Sequence, residues 1–284
     1  MEFEGSVMQY KIAADSSANM YAFDGIDFSS VPMKLITKER EFVDDGHTDI
    51  QEMVAYLKAY KGTSGSSCPN VYDWTEAFGD AENVFAITIT GALSGSCNAA
   101  RHAGEEYMAA HPGRKVCVLD SLSAGPELRL ICEKLREGVN AGKTFEEIEA
   151  DAREYMKHTH TLFTLQSLNN LARNGRVNPA VAKVAGVLGI WVVGKASDEG
   201  TLQQVHKARG EKRAVEAAYS DMKENGYKGG KVRMCHCMNE GVADQLAALI
   251  RAEYPDAEIT CEPTGALCSF YAEKGGMIVG YEGE

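Results

Sequence analysis

Cations are the first shortage. The 284 residues carry 29 Lys and Arg against 41 Asp and Glu, a formal net charge of -12. A surface of that sign has no general attraction for nucleic acid or an anionic membrane, so an anionic ligand must be held by local groups. Long apolar runs are missing too. The most apolar stretch, "VAKVAGVLGIWVVG" from Val181, is broken by Lys183 and too short to span a bilayer. The opening residues "MEFEGSVMQY" begin with acids and hold no apolar core, so they do not read as a secretory signal. A cytoplasmic protein is expected, with no nucleic-acid partner and at most transient membrane contact. Its eight cysteines, several within apolar strand-like runs, then read as reduced thiols rather than a disulfide framework.

Absent motifs narrow the chemistry. Neither the G-x-x-x-x-G-K-[ST] phosphate loop nor the G-x-G-x-x-G dinucleotide signature occurs; Gly91 and Gly95 are separated by three residues. Ser94 lies at a strand-to-helix turn, the place of a nucleophile elbow, but G-x-S-x-G is not matched and no His is tied to it by motif. Cys235, His236 and Cys237, with Cys261 and Cys268 as distant partners, raise the question of zinc. On a strand the first and third of that trio face one way and His236 the other, which is poor geometry for one tetrahedral ion. No metal and no cofactor are expected.

What is present is alternation. Four β-like runs, "YKIAAD" from Tyr10, "VPMKLIT" from Val31, "VFAITIT" from Val84 and "KVCVLD" from Lys115, are interleaved with helical spacing after Asp49, Cys97, Glu127 and Thr144. Leu128, Ile131, Leu135 and Val139, for instance, line one side of a helix. Strands alternating with helices predict a parallel sheet covered on both faces. The texture changes near Lys157, which places a domain boundary there. Residues 158–284 contain helical stretches near Pro179, Arg209 and Gly241 and the strand candidates "GIWVVG", "KVRMCHC", "AEITC" and "GMIVGY".

In a parallel sheet the carboxyl ends of the strands share one edge, where open α/β folds bind ligands. Those ends are chemically alike here: Asp15-Ser16-Ser17, then Leu93-Ser94-Gly95-Ser96, then Asp120-Ser121-Leu122-Ser123, with a further loop "GTSGSSCPN" from Gly62. Any one of them alone reads as a helix cap before it reads as a site. Together they form a cradle of hydroxyls and free backbone N–H groups, suited to a small anionic head. None contains Lys or Arg, so a carboxylate suits them better than a polyphosphate.

The ordered set "KIAADSSANM", "VPMKLITKEREFVDD", "GTSGSSCPN", "ITITGALSGSCNAA", "VLDSLSAG", "LQSLNNLARNGRV" and "VHKARGEKRAV" resembles the DegV family, which includes the fatty-acid-binding subunits of bacterial fatty acid kinase. The resemblance implies a two-domain α/β fold, with an N-terminal parallel-sheet domain over residues 1–157 and a C-terminal domain with a mixed sheet over 158–284. It further implies non-catalytic binding of a long-chain fatty acid between the domains and its presentation to a separate kinase subunit for acyl-phosphate formation. By position Thr63 and Ser94 match the residues that hold the carboxylate, with Ser64, Gly95 and Ser96 around them. Arg176 matches a Gly-Arg pair of the family and, like Arg173, reads as an anion binder or a helix-capping cation. Arg209 sits where carriers meet a kinase partner or a membrane surface. "VAKVAGVLGIWVV" and "GMIVGY" read as tunnel wall or as ordinary core.

Two departures stand out. Many relatives carry a His near the C-terminus where this chain has Glu262-Pro263-Thr264-Gly265; Thr264 offers a hydroxyl there, while Glu262 would repel an ionised head unless turned away. The loop "TSGSSC" also lacks the usual Gln-Pro. An alternative function is a serine-dependent hydrolase or other enzyme on a small acyl or carboxylated substrate, with Ser94 as nucleophile or Asp15 or Asp120 as base. A regulatory module binding a different amphiphile is the third reading.

Overall fold

The computed structural model describes residues 9–180, 182 and 189–284. Among them, strands β1 (Tyr10–Asp15), β2 (Asp27–Val31), β6 (Asn83–Thr88) and β7 (Lys115–Asp120) form a wholly parallel sheet in the order β2-β1-β6-β7. Period-two alternation sorts its side chains. Ile12, Phe85, Ile87 and Leu119 pack against helices α4 (Glu127–Asn140) and α5 (Phe145–Tyr155). Ala13, Val84 and Ala86 pack on the other face against α2 (Val71–Phe78) and α3 (Ser96–Ala110). Capping boxes begin two of these helices, Asn70 with Asp73 and Thr144 with Glu147.

One expected strand of this sheet lies elsewhere. The run "VPMKLIT" is divided by Pro32: Val31 ends β2, and the chain continues as β3 (Lys34–Thr37) in a separate antiparallel sheet of order β4-β3-β5. Proline has no N–H to give the ladder and breaks the strand there. The partners of β3 are β4 (Glu41–Val43) and β5 (Ser64–Ser67), so part of "GTSGSSCPN" is strand and not loop. Helix α1 (Ile50–Ala59), capped by the Asp49 carboxylate on the Glu52 amide at 3.0 Å, lies between these two strands in sequence.

The strands after residue 158 form one mixed sheet of order β10-β9-β8-β13-β11-β12. Its members are β8 (Thr159–Leu165), β9 (Ile190–Ala196), β10 (Leu202–Arg209), β11 (Val232–His236), β12 (Ile259–Pro263) and β13 (Met277–Glu282). Helices α7 (Glu211–Glu224) and α8 (Glu240–Glu253) cover one face, burying Leu162, Val193, Met234, Met277 and Val279. The other face meets α6 (Asn169–Arg173) and α9 (Ala266–Ala272). The helical stretch expected near Arg209 begins at Glu211: Lys207 and Arg209 stand on the edge strand β10, while Lys212 and Arg213 begin α7. The stretch near Pro179 lies mostly outside the described residues.

The halves meet through a buried ion pair and a close backbone crossing. Arg233 on β11 makes a two-pronged ion pair, 2.8 Å on each arm, with Glu133 on α4, and both side chains are buried. The backbone of β13 crosses the start of α4 so closely that a Cβ at Gly280 would stand 2.4 Å from the Glu127 nitrogen. Helix α9 also packs on the small sheet, its Ala266, Leu267 and Phe270 against Met33, Leu35 and Phe42.

Candidate functional site

Where the three sheets converge they leave a cavity of about 360 Å³. The mixed sheet supplies Thr161, Phe163 and Leu165, alternate residues of β8 that share one face, and Ile278 from β13. Helices α6 and α9 add Leu171, Leu267, Tyr271 and Ala272. The edge of the parallel sheet gives Ile89, Leu93, Ser94, Gly95 and Ala124; β5 and the residue after it give Ser66, Ser67 and Cys68. Aliphatic and aromatic side chains thus form most of the wall, with the hydroxyl residues Ser66, Ser67, Ser94 and Thr161 and one cation, Arg176, among them. From "GMIVGY" only Ile278 turns inward; Met277 and Val279 belong to the core beneath α7 and α8. Of "VAKVAGVLGIWVV", Trp191, Val192 and Val193 are core, and Val181 with residues 183–188 lies outside the described residues.

The Ser94 turn is held from below. Leu93 and Ser94 donate their amides to the Thr90 carbonyl at 3.2 Å, and the Ser96 amide donates to Ser94 Oγ at 3.2 Å. Ser96 is turned away from the cavity: its hydroxyl donates to Asp15 Oδ2 at 2.7 Å, a carboxylate that also accepts the Ile89 amide at 2.9 Å and the Ser17 hydroxyl. Burial lifts the Asp15 pKa to about 6 against the pull of these donors. Asp15 therefore ties two turns together and has no free oxygen directed at a ligand. Glu127 does the same at the next turn. It accepts Ser123 Oγ at 2.5 Å and Thr159 Oγ1 at 2.8 Å, and burial raises its pKa. Asp120 spends its oxygens on the amides of Gly91 and Leu122 at 3.1–3.2 Å.

Of the residues expected at the head group, Ser94 and Gly95 line this cavity and Ser96 supports them from behind. Thr63 and Ser64 line a different groove of about 840 Å³, beside Lys58, Lys61, Arg173 and Lys274. The strand they introduce presents Ser66 and Ser67 instead, with Ser66 Oγ 2.6 Å from the Tyr271 hydroxyl. Sequence reasoning missed these two because it read the segment as a loop, and β5 is made by pairing with β3, which nothing local in the sequence announces. Thr264 is buried away from the cavity, its hydroxyl 2.6 Å from Ser269 Oγ. Glu262 is ion-paired with Arg129, which answers the repulsion expected of it. The surrounding loop is pinned to the N-terminal half: Asn19 receives the Gly265 amide at 2.6 Å and donates to the Pro263 carbonyl at 3.0 Å, and Asp44 accepts the Ala266 amide at 2.6 Å.

Arg176 donates from Nε to the Leu93 carbonyl at 3.2 Å and from Nη1 to the Asn174 carbonyl at 2.5 Å. Among the described residues no carboxylate pairs with it. Its charge is thus positioned at the Ser94 turn without a counter-ion. Ser94 itself has neither a His nor a carboxylate within hydrogen-bond reach among the described residues, so nothing there activates it as a nucleophile. Also among the described residues, no group of three His, Cys, Asp or Glu is arranged for a metal ion, and no helix is long and apolar enough to cross a membrane. Such a cavity suits an amphiphile with a small anionic head.

Comparison with known proteins agrees with that geometry. The family model described as "Uncharacterised protein, DegV family" matches residues 9–284, and the chain belongs to the DegV family. A DegV domain-containing protein of Streptococcus pneumoniae strain R6 is 42% identical over 279 residues, 97% of this chain and 99% of that protein. Among solved structures, a DegV family protein of Eubacterium eligens loaded with heptadecanoic acid matches with a TM-score of 0.95 at 42% identity, covering 97% of this chain and 100% of that one. The fatty acid kinase B3 protein of Streptococcus pneumoniae, loaded with linoleic acid, matches equally well, with TM-score 0.95 and 42% identity over 98% and 100% of the two chains. The α/β fold expected from sequence, with a parallel sheet followed by a mixed one, matches these structures.

Proposed function

We propose that this protein binds one long-chain fatty acid without chemically altering it and presents the carboxylate to a separate kinase subunit for acyl-phosphate formation. The observation that carries the reading is the coincidence, in one cavity of about 360 Å³, of a largely apolar wall with an unpaired arginine and a hydroxyl turn. Pockets of roughly 300–1,000 Å³ suit ligands of this size. Each buried methylene contributes roughly 0.8 kcal/mol, so a tail of about fourteen supplies on the order of 11 kcal/mol gross. Affinity comes from the tail and orientation from the head. Ser94 and Gly95 hold the carboxylate in this reading, joined by Ser66 and Arg176. The loaded relatives support the ligand class, since they bind heptadecanoic and linoleic acids.

The same reading divides the chain at residue 157, assigns Arg209 on the edge of β10 to contact with the kinase, and locates the protein in the cytoplasm, in keeping with eight free thiols. Native mass spectrometry of protein purified from a bacterial host, followed by lipid extraction, tests it. A stoichiometric fatty acid is expected. Its consistent absence, together with no thermal stabilisation by added fatty acids, would end the proposal.

A further inference from the structure

The groove that takes in Thr63 and Ser64 differs in kind from the cavity at the Ser94 turn. It is larger, about 840 Å³ against about 360 Å³, and in a chain of net charge -12 it is lined by four cations, Lys58, Lys61, Arg173 and Lys274, and one acid, Glu273. The Glu273 carboxylate accepts the Asn170 amide at 3.0 Å. Among the described residues none of the four cations has a carboxylate partner. All four are exposed, whereas the apolar side chains lining the same groove, Val54, Leu57 and Phe270, are half-buried or buried.

Helix ends explain part of this charge. Lys58 and Arg173 stand in the last turns of α1 and α6, and Lys61 and Lys274 lie two residues beyond the ends of α1 and α9. A helix C-terminus carries about half a negative charge and attracts cations, so three such ends offset at most about one and a half of the net three positive charges here. The remaining surplus has no counterpart in the groove.

Its setting selects the ligand. The cations come from three separate helix ends and share their wall with apolar surface, unlike the single nest of backbone N–H groups that holds a lone phosphate. On that wall, among the described residues, the side chains of Thr63, Ser64, Gln166 and Asn169 take part in no hydrogen bond within the chain. A polypeptide matches all three features at once, with its carboxylates, its apolar side chains and its own backbone. We infer that this groove is a docking site for an acidic segment of a second protein, one in which Asp and Glu are interspersed with apolar residues. The carboxylates meet Lys58, Lys61, Arg173 and Lys274, and the apolar residues cover Val54 and Leu57. The inference stands apart from the fatty-acid reading, since among the described residues none lines both hollows.

The test selects peptides on wild type from a displayed library of random short sequences at physiological salt. Recovered peptides, synthesised with a fluorescent label, are then titrated by anisotropy against wild type, Lys58→Glu/Lys61→Glu, and Lys212→Glu as a control for charge reversal elsewhere. Melting temperatures confirm that the variants fold. The recovered peptides are expected to be enriched in Asp and Glu together with apolar residues. They should lose roughly tenfold or more on the groove variant and keep their affinity for the control. Recovery of no peptide, or of peptides without acidic enrichment, would overturn the docking site. So would equal binding to the groove variant, or the same loss on Lys212→Glu. Inorganic tripolyphosphate and phosphatidylglycerol vesicles are assayed alongside. If either binds wild type and not the groove variant while no acidic peptide does, the groove serves a small polyanion or a lipid surface and the inference fails.

Discussion

Two groups of serines in this molecule look alike in sequence and have opposite surroundings. The hydroxyls of Ser17, Ser96 and Ser123 donate to buried carboxylates, Asp15 for the first two and Glu127 for the third. Those of Ser66, Ser67 and Ser94 border the cavity, and no carboxylate takes them among the described residues. A hydroxyl is available to a ligand only when no stronger acceptor inside the protein has claimed it, because a buried donor left unmatched costs more than a matched one returns. Asp15 at the end of β1 and Glu127 at the start of α4 thus decide which serines build the scaffold and which remain open to a ligand.

Removing the scaffold acceptor should have the largest effect. Asp15→Ala strands the Ser17 and Ser96 hydroxyls and the Ile89 amide, and a loss of about 3 kcal/mol in urea unfolding is expected. A near-neutral result would break the contrast. The same carboxylate predicts a pH dependence. Its folded pKa of about 6 lies above the ordinary 3.8, so the folded chain holds this proton where the unfolded chain has released it. Stability from Asp15 is fully present below about pH 4 and is lost as pH rises through about 6, a change on the order of 3 kcal/mol. The excess stability of wild type over Asp15→Asn should therefore shrink between pH 4 and pH 7; a difference that stays level refutes this.

Smaller and of another kind is the expected outcome at Ser94. Its replacement by Ala should weaken fatty-acid retention roughly tenfold and leave the melting temperature nearly unchanged, the reverse of Ser96→Ala, which should lower stability by about 1–2 kcal/mol. Equilibrium dialysis and thermal melts on the two variants separate them. Thr63→Ala should alter retention least, since Thr63 lines the separate groove beside Lys58 and Lys61, whereas Ser66→Ala should weaken it; equal losses would return Thr63 to the head group.

Helix starts after Asp49, Cys97, Glu127 and Thr144 were legible because 3.6-residue spacing, joined at Asp49 and Thr144 by a capping side chain, is a local signal, and α1, α3, α4 and α5 begin within a residue or two of them. The site was legible as far as Ser94, since a strand-to-helix turn announces itself. Ser66 was not, because β5 exists only through pairing with β3 and a Gly-Ser segment has little strand propensity of its own. The fate of Glu262 likewise depends on Arg129, which is 133 residues away in sequence. The hydroxyl claimed by Asp15 also depends on a partner distant in the chain, 81 residues on at Ser96.

The crossing ion pair between Glu133 and Arg233 has a consequence for autonomy. Severing the chain after residue 157 would break the buried Glu133–Arg233 pair and leave Glu133 with Arg129 and Arg233 with the more exposed Glu258. Neither fragment is then a self-sufficient module, and the intact chain should melt in a single calorimetric transition, so that whatever fills the hollow between the halves stiffens both at once.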